Sequence, residues 1–328
     1  MDEPPQRETS GGGEEERAGT RPAARSRSHV PVMPAEVLEF LAPQAGGTYV
    51  DFTVGAGGHA RLIAERLGPT GRLIGFDKDP DALLLAGRAL EGVEARVELV
   101  QASFAEAPAE LARLQALPLH GALADLGVSS MQLDRPERGF SFAAEGPLDM
   151  RMDPSQELTA AQVVNEFSER ELADLIYQFG EERRSRRIAR AIVRSRPLKT
   201  TVQLAGVIAA VTRPMYSQRT AIHPATRSFQ ALRIFVNSEI HDLTVWLSAL
   251  PGLLAPSGRA VVISFHSLED RPVKESFRAW AREGLYEILT RHVVRASEAE
   301  TEQNPRSRSA KLRAVQRTDA GWKGTGPT

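Results

Sequence analysis

The sequence contains no cysteine. This absence excludes disulfide bonds, thiolate metal sites and a cysteine nucleophile, and it is compatible with a reducing cytoplasm. Long hydrophobic runs are also lacking: none approaches the ~20 residues that a transmembrane helix needs, and no apolar segment near the N-terminus is typical of a secretion signal. We therefore expect a cytoplasmic protein with no membrane contact and no metal site.

Lysine is scarce, with five residues among the 41 basic side chains, so that 36 are arginine. The arginines concentrate in residues 183–196, 213–227 and 304–313. Because the guanidinium group suits phosphate, these clusters predict a surface for nucleic acid. The alternative for the first cluster is a solvated helix face. The net charge of -1 argues against indiscriminate binding to nucleic acid.

The composition divides the chain of 328 residues into a globular part and two tails. Residues 1–28 are polar and predict a disordered tail, and residues 319–328 form a second tail. Between them, apolar strand-like runs alternate with helical patterns, which is typical of a parallel sheet covered on both faces. This order predicts a doubly wound, Rossmann-like α/β fold. The predicted strands are 48–53, 72–76, 97–100, 122–126 and 259–265, and the predicted helices are 58–67, 80–90 and 105–117.

About 130 residues separate the fourth and fifth predicted strands, where one crossover helix is enough. The interval predicts a small helical domain inserted over residues 134–225, so that residues 29–133 and 226–318 form the Rossmann-like domain. A long helix over 229–248 is predicted to return the chain to the sheet. The predicted helices of the insert are 159–167, 169–179, 182–194 and 202–212, and two closing strands are predicted over 287–293 and 311–317.

Polar residues follow the predicted strands, and ligands of open α/β sheets bind beyond these strand ends. The glycine-rich turn GAGGH over residues 55–59 lets the main chain pass close to a nucleotide-like ligand. Asp77 follows about 20 residues later, the spacing of a ribose diol acceptor in NAD and S-adenosylmethionine sites alike. A helix cap is the alternative for Asp77. Phe104, after the third strand, is suited either to packing on adenine or to the core.

The fourth predicted strand ends at Asp125, and the hydroxyl of Ser129 follows it. We expect this carboxylate to face the reactive end of the cofactor. His59, which closes the glycine turn, either contacts the cofactor or, at the start of the helix, caps it or faces solvent. His266 follows the fifth strand and either meets the substrate or packs as a structural histidine. These residues are candidates only.

Arg233 and Asn237 lie four residues apart in the predicted long helix. That spacing places them on one helical face. The apolar residues between them are expected in the core. The sequence leaves open whether this polar face reaches the site.

Motifs along residues 29–317 resemble a known family, the bacterial small-subunit ribosomal RNA methyltransferases H. Together with the GAGGH turn these motifs are highly specific, and only the tails fall outside the resemblance. The motifs are HVPVM at 29–33, FDKDP at 76–80, DLGVSSMQLD at 125–134, RGFSF at 138–142, GPLDMRM at 146–152, TRSFQALR at 226–233, SFHSLEDR at 264–271 and NPRSRSAKLR at 304–313.

The resemblance implies an S-adenosylmethionine-dependent enzyme that methylates the exocyclic N4 of one decoding-centre cytidine in 16S ribosomal RNA of the small ribosomal subunit. It leaves the catalytic group open among Asp125, Ser129 and His266. The sequence departs from the family at Phe52, where glycine is common, and in the shorter segment over 270–304. The cofactor contacts that the resemblance implies are Gly57, Gly58, His59, Asp77, Phe104, Asp125 and Gln132.

Two other classes of protein remain. An NAD-dependent oxidoreductase shares the glycine turn but leaves the insert unexplained. A ribosome assembly factor with the same fold predicts ribosome binding without methyl transfer. The sequence also leaves open the oligomeric state, a homodimer included, and whether the substrate is free RNA or an assembled subunit.

Overall fold

The computed structural model describes Met1, residues 30–212 and residues 223–321. The predicted tail after Met1, His29, residues 213–222 of the second arginine cluster and residues 322–328 lie outside the described residues. In the described ranges, no helix is long and apolar enough to cross a membrane. Over the same ranges, no group of three or more His, Cys, Asp or Glu side chains has the arrangement of a metal site.

A seven-stranded sheet forms the centre of the molecule, with the order β3-β2-β1-β4-β5-β7-β6. The first five strands are parallel, and β7 runs antiparallel to both of its neighbours. The predicted Rossmann-like α/β fold is therefore confirmed. The strands are β1 (Thr48–Asp51), β2 (Arg72–Asp77), β3 (Arg96–Gln101), β4 (Leu119–Asp125), β5 (Leu254–Ser264), β6 (Tyr286–Ile288) and β7 (Lys311–Arg317).

Thirteen α-helices lie in the described part of the chain, and several begin at side-chain caps. Ser129, Thr159 and Ser168 each start a helix with a reciprocal bond to a Gln or Glu three residues later, which pairs two otherwise free amides. The helices are α1 (Pro34–Leu41), α2 (Gly58–Leu67), α3 (Pro80–Ala89), α4 (Ala107–Arg113), α5 (Ser130–Asp134), α6 (Ala160–Glu166), α7 (Glu169–Gly180), α8 (Ser185–Arg194), α9 (Thr201–Thr212), α10 (Thr226–Val236), α11 (Glu239–Leu253), α12 (Ser267–Arg282) and α13 (Glu298–Gln303).

The prediction of a single helix over 229–248 is wrong. The helical conformation is interrupted between α10 and α11, where Ser238 adopts a left-handed conformation with φ of 53°. Asn237 fixes the break because its side-chain amide donates to the carbonyls of Met150 and Arg233 and accepts from the amide of Met152. Helices α1 and α12 were not predicted, and the closing strand β6 is shorter than expected.

The sheet carries apolar side chains on both faces. Phe52 lies in this core, stacked on Phe76 at 5.7 Å and set edge-on to Trp246 at 5.1 Å. The side chain is 2% exposed, so this departure from the family pattern fills the core instead of the glycine turn. Aromatic pairs of this kind add about 1 kcal/mol each beyond their buried area.

A separate apolar core occupies the segment between β4 and β5, and α10 contributes Phe229 and Leu232 to it. Gly180 at the end of α7 allows close approach of α10, since a Cβ there would lie 2.7 Å from the Arg227 carbonyl oxygen. The predicted division of the chain at residues 134 and 225 remains a prediction. From this packing we propose that the inserted domain continues through α10 to the break at Asn237.

Candidate active site

The strand order reverses beside β1, which pairs with β2 on one side and β4 on the other. Ligands of open α/β sheets bind at such a switch point, beyond the carboxyl ends of the strands. Asp51 and Asp125 end the two strands that flank it. Thr53 joins these ends: its amide donates to Asp51 Oδ1 at 3.0 Å, and its hydroxyl accepts from the Asp125 amide at 2.6 Å.

Asp77 ends the neighbouring strand β2, and both of its carboxylate oxygens accept main-chain amides. Oδ2 accepts from Gly55 at 2.9 Å and Oδ1 from Asp79 at 2.9 Å. The cap of α3 is Asp79, whose side chain accepts from the Asp81 amide. The helix-cap alternative for Asp77 is therefore wrong, and its carboxylate keeps acceptor positions beyond these two bonds.

Three carboxyl groups, one buried and two partly buried, dominate the electrostatics of these strand ends. Burial raises the pKa of Asp51 to about 7, with a further increase from the charge of Asp77. Burial likewise raises the pKa of Asp77 to about 6, although the Asp79 and Gly55 amides oppose the increase. Burial and then the charges of Asp51 and Glu269 raise the pKa of Asp125 well above its usual range. Such a cluster of carboxyl groups favours a cationic ligand, because positive charge stabilises their ionised forms.

The glycine turn connects β1 to α2, and its glycines serve different purposes. Gly55 has φ of 51°, and a Cβ there would lie in ordinary contact with the Thr53 carbonyl oxygen at 3.7 Å. A Cβ on Gly57 would lie 3.1 Å from the main chain of Ala86, and one on Gly58 would lie 3.3 Å from Pro31. Gly57 and Gly58 thus allow α3 and the segment before α1 to pack closely on the turn. Their predicted cofactor contacts remain predictions.

His59 begins the first turn of α2 and is 6% exposed. Its Nε2 lies 3.8 Å from Asp125 Oδ2. The other carboxylate oxygen, Asp125 Oδ1, is buried without a hydrogen-bond partner among the described residues. Asp125 itself is 23% exposed. The glycine turn and the end of β4 therefore bring two predicted site residues together.

Gln132 and Phe104 border the same end of the sheet. Gln132 is buried; its Oε1 accepts from the Ser129 amide at 3.0 Å and its Nε2 donates to Asp79 Oδ2 at 3.0 Å. If Gln132 contacts the cofactor, the second hydrogen of its Nε2 is available for that bond. Phe104 is partly buried, with its ring 6.0 Å from that of Trp246. Ser129 caps α5, and its hydroxyl accepts from the Gln132 amide.

His266 lies in a buried charge network that the sequence did not predict. Its Nε2 is 3.0 Å from Glu269 Oε1, so the carboxylate places the proton on Nε2. Arg233 approaches the same pair and forms two 2.8 Å bonds to Glu239. Burial opposes the charge of Glu269, but His266 and Arg233 outweigh it and lower the pKa.

Glu269 connects this network to the end of β4. Its Oε1 lies 3.7 Å from the position of a Cβ on Gly127, two residues after Asp125. His266 Nδ1 is covered and has no hydrogen-bond partner in the part of the chain that the structure describes. This arrangement suits a positioning role for His266. The signal in the sequence was the spacing of three residues between His266 and Glu269.

Comparison with known proteins shows the family to which the chain belongs. The MraW methylase family matches residues 26–318. Ribosomal RNA small subunit methyltransferase H of Koribacter versatilis is 58% identical over 88% of this chain and 94% of its own. The enzyme of that name from Geobacter sulfurreducens is 50% identical over 88% of this chain and 99% of its own.

Among solved structures, an rRNA methylase from Streptococcus thermophilus covers 87% of this chain and 94% of its own, at 11% identity and a TM-score of 0.40. Because that similarity is low, the fold assignment rests on the strand order. The sequence matches are extensive, and they agree with the resemblance seen in the motifs. The chain therefore belongs to the MraW methylase family, together with the ribosomal RNA small subunit methyltransferases H.

Proposed function

We propose that this protein transfers a methyl group from S-adenosylmethionine to the exocyclic N4 of a decoding-centre cytidine in 16S ribosomal RNA. Family membership supports ribosomal RNA methylation that depends on this cofactor. The observation that carries the proposal is the cluster of carboxyl groups at the switch point, the buried Asp51 and the partly buried Asp77 and Asp125, each with a raised pKa. The restriction to cytidine N4 rests on the family resemblance, and the cytoplasmic location remains a prediction from the sequence.

The residues at the strand ends fit this cofactor. S-adenosylmethionine carries a sulfonium and an ammonium charge, which the carboxyl cluster balances, and it supplies an electrophilic methyl group when bound. Asp77 has free acceptor positions for the ribose hydroxyls, and the ring of Phe104 offers an apolar face for adenine. The glycine turn and His59 then border the amino-acid part, with Gln132 beyond Asp125.

The amino group of cytidine is a weak nucleophile because its lone pair is delocalised into the ring. The protein must hold this group in line with the methyl group and accept its N–H bonds, so positioning supplies much of the acceleration. We assign the acceptor role to Asp125 Oδ1, which is buried without a hydrogen-bond partner among the described residues. Only the ionised carboxylate can take a proton from the amine, and the raised pKa of Asp125 makes that ionised form a stronger base than an ordinary aspartate.

The other two catalytic candidates are less well placed. The Ser129 hydroxyl already accepts the Gln132 amide at 3.3 Å, although it retains a hydrogen to donate. His266 presents no uncovered basic nitrogen, since Nε2 faces Glu269 and Nδ1 is buried. We therefore give Ser129 and His266 orienting roles. The target base must leave its stack to reach Asp125.

A methyl-transfer assay tests the function. Purified protein, labelled S-adenosylmethionine and small subunits from cells that lack the enzyme should yield label in N4-methylcytidine after nuclease digestion. Label in C5-methylcytidine or in protein would contradict the proposal. Binding to the subunit without any transfer would favour the assembly factor, and thermal stabilisation by NAD but not by S-adenosylmethionine would favour the oxidoreductase.

A further inference from the structure

An open groove of about 750 Å³ lies between α8 and α9, on the outer side of the inserted helices. Arg187, Arg190 and Arg194 line it from α8. Their spacing of three and four residues places all three on one face of that helix. The groove is separate from the carboxyl cluster at the end of the sheet, so the cofactor site does not account for it.

Two of these arginines have no counter-charge within the described ranges. Arg190 pairs with Glu169 at 3.2 Å, whereas Arg187 and Arg194 have neither an ion pair nor a hydrogen bond there. Residues 213–222, which follow the end of α9 in the chain, contain no Asp or Glu. Among the described residues, the groove therefore carries positive charge that no ion pair balances at Arg187 and Arg194.

Other arginines of the same sequence cluster have a structural role. Arg184 donates to the Thr212 carbonyl at the end of α9, and Arg196 donates to the carbonyls of Val164 and Phe167. These side chains hold the inserted helices together. The structure thus separates structural arginines from those that line the groove, which the sequence pattern could not do.

The floor of the groove consists of small residues on α9. Gly206 and Ala210 are exposed, and Val207 is partly exposed. No atom lies within 4 Å of the position of a Cβ on Gly206. The groove therefore has room over an apolar floor beside the row of arginines on α8.

We propose that this groove binds the backbone of an RNA strand, with phosphates on Arg187 and Arg194 and a sugar or base on the apolar floor. Seven residues of helix separate these arginines by about 10 Å, so they contact different phosphates. Guanidinium groups bind phosphate through paired hydrogen bonds. The inference rests on the proposed function, because ribosomal RNA is the nucleic acid that the enzyme meets.

The first test removes the charge. Replacing both arginines, Arg187→Gln with Arg194→Gln, should weaken binding to a 16S rRNA fragment about tenfold at low salt and lower the slope of log K against log salt by about 1.4, near 0.7 per phosphate. Arg170→Gln on α7 is the matched control, since Arg170 is 92% exposed and should leave both values unchanged. An unchanged salt slope in the double variant would overturn the proposal.

The second test fills the groove without changing charge. Gly206→Leu should weaken RNA binding several-fold with the salt slope intact, whereas Gly206→Ala should bind as the wild type does. Equal binding by the Leu variant would rule out a strand on the floor. Weaker binding to assembled subunits with normal binding to naked RNA would identify a ribosomal protein as the occupant and would also refute the proposal.

The wild-type methylation product separates this inference from the proposed function. If the wild type forms N4-methylcytidine and the groove variants bind RNA normally, the groove proposal alone fails. If the wild type forms no such product, the proposed function fails, whatever the groove variants bind. Calorimetry with S-adenosylmethionine should give the same affinity for every variant, because the groove lies away from the strand ends.

Discussion

Gln132 donates a 3.0 Å hydrogen bond from Nε2 to Asp79 Oδ2, and both side chains are buried. The same oxygen of Asp79 accepts from Arg138 at 2.8 Å. Asp79 also caps α3 through its other oxygen. The Asp79 carboxylate therefore links the start of α3 to Gln132 in α5 and to Arg138, which lie in the part of the chain that leads into the inserted domain.

Asp79→Ala should destabilise the protein by about 3 kcal/mol, because it removes a helix cap and the 2.8 Å partner of the largely buried Arg138, which keeps only the more distant Asp81 at 3.8 Å. Asp81→Ala is the control for the exposed edge of this network: Asp81 is 45% exposed and pairs with Arg135, and such surface pairs contribute at most about 1 kcal/mol. Denaturant unfolding measures both. Equal destabilisation by the two variants would contradict the assignment.

Asp77→Ala should weaken S-adenosylmethionine binding by about 1.5–3 kcal/mol, the range for hydrogen bonds to a charged group. Calorimetry gives the affinity. Because the variant also frees the Gly55 amide, a cofactor analogue that lacks one ribose hydroxyl completes a double-mutant cycle. If Asp77 binds the ribose, the substitution weakens binding of the analogue less than that of the natural cofactor. Equal losses would assign Asp77 to the turn alone.

Asp125→Asn should lower kcat for methyl transfer by about 10²- to 10⁴-fold, as expected on losing a group that accepts a proton. Asparagine keeps the size of the side chain and one acceptor oxygen. Cofactor affinity measured on the same preparation separates binding from chemistry. A variant with normal kcat would exclude Asp125 as the acceptor and return attention to Ser129.

Cofactor affinity should rise with pH between about 5.5 and 7.5. The pKa of Asp51 is raised to about 7 and that of Asp77 to about 6, so both carboxyl groups lose protons across this window, and a cationic ligand binds the ionised forms better. Without cofactor, the raised pKa values of Asp51 and Asp77 make the free energy of unfolding fall as pH rises. Their contribution to that free energy is present at low pH and is lost as pH rises through 6 to 7.

The Asp51→Asn variant tests this pH dependence. Asparagine can still accept the Thr53 amide, so the end of β1 should remain ordered. The increase in affinity with pH should become shallower, as measured by calorimetry at several pH values. Asp77 and Asp125, whose pKa values burial also raises, set the remaining dependence. A wild-type affinity that falls as pH rises would contradict the charge argument.

The regular part of the fold was predictable because its signals are local. Strand β7 and helix α2 lie over the predicted residues, since apolar runs and the glycine turn mark them directly. The break at Asn237 was not predictable, because apolar spacing continues through it and Ser238 is not a glycine. Its cause is distant: Asn237 is fixed by Met150 and Met152, more than 80 residues earlier.

The candidate site likewise contains some residues that could be predicted from the sequence and others that could not. Asp77 and Asp125 could be found because residues that end parallel strands converge on one edge of a sheet. The spacing of His266 and Glu269 is a local signal, but the approach of Arg233 to this pair depends on the position of α10 relative to α12, which no local pattern contains. The roles of individual arginines in residues 183–196 likewise depend on which carbonyls lie nearby.

Strand β7 lies between β5 and β6, although it follows both along the chain. During synthesis β5 therefore presents an unpaired edge, and β6 has no neighbour, until residues 311–317 leave the ribosome. Unpaired edges of apolar strands attract other chains. A nascent or truncated chain that ends before Lys311 is consequently expected to aggregate, so the completion of this sheet depends on translation through β7.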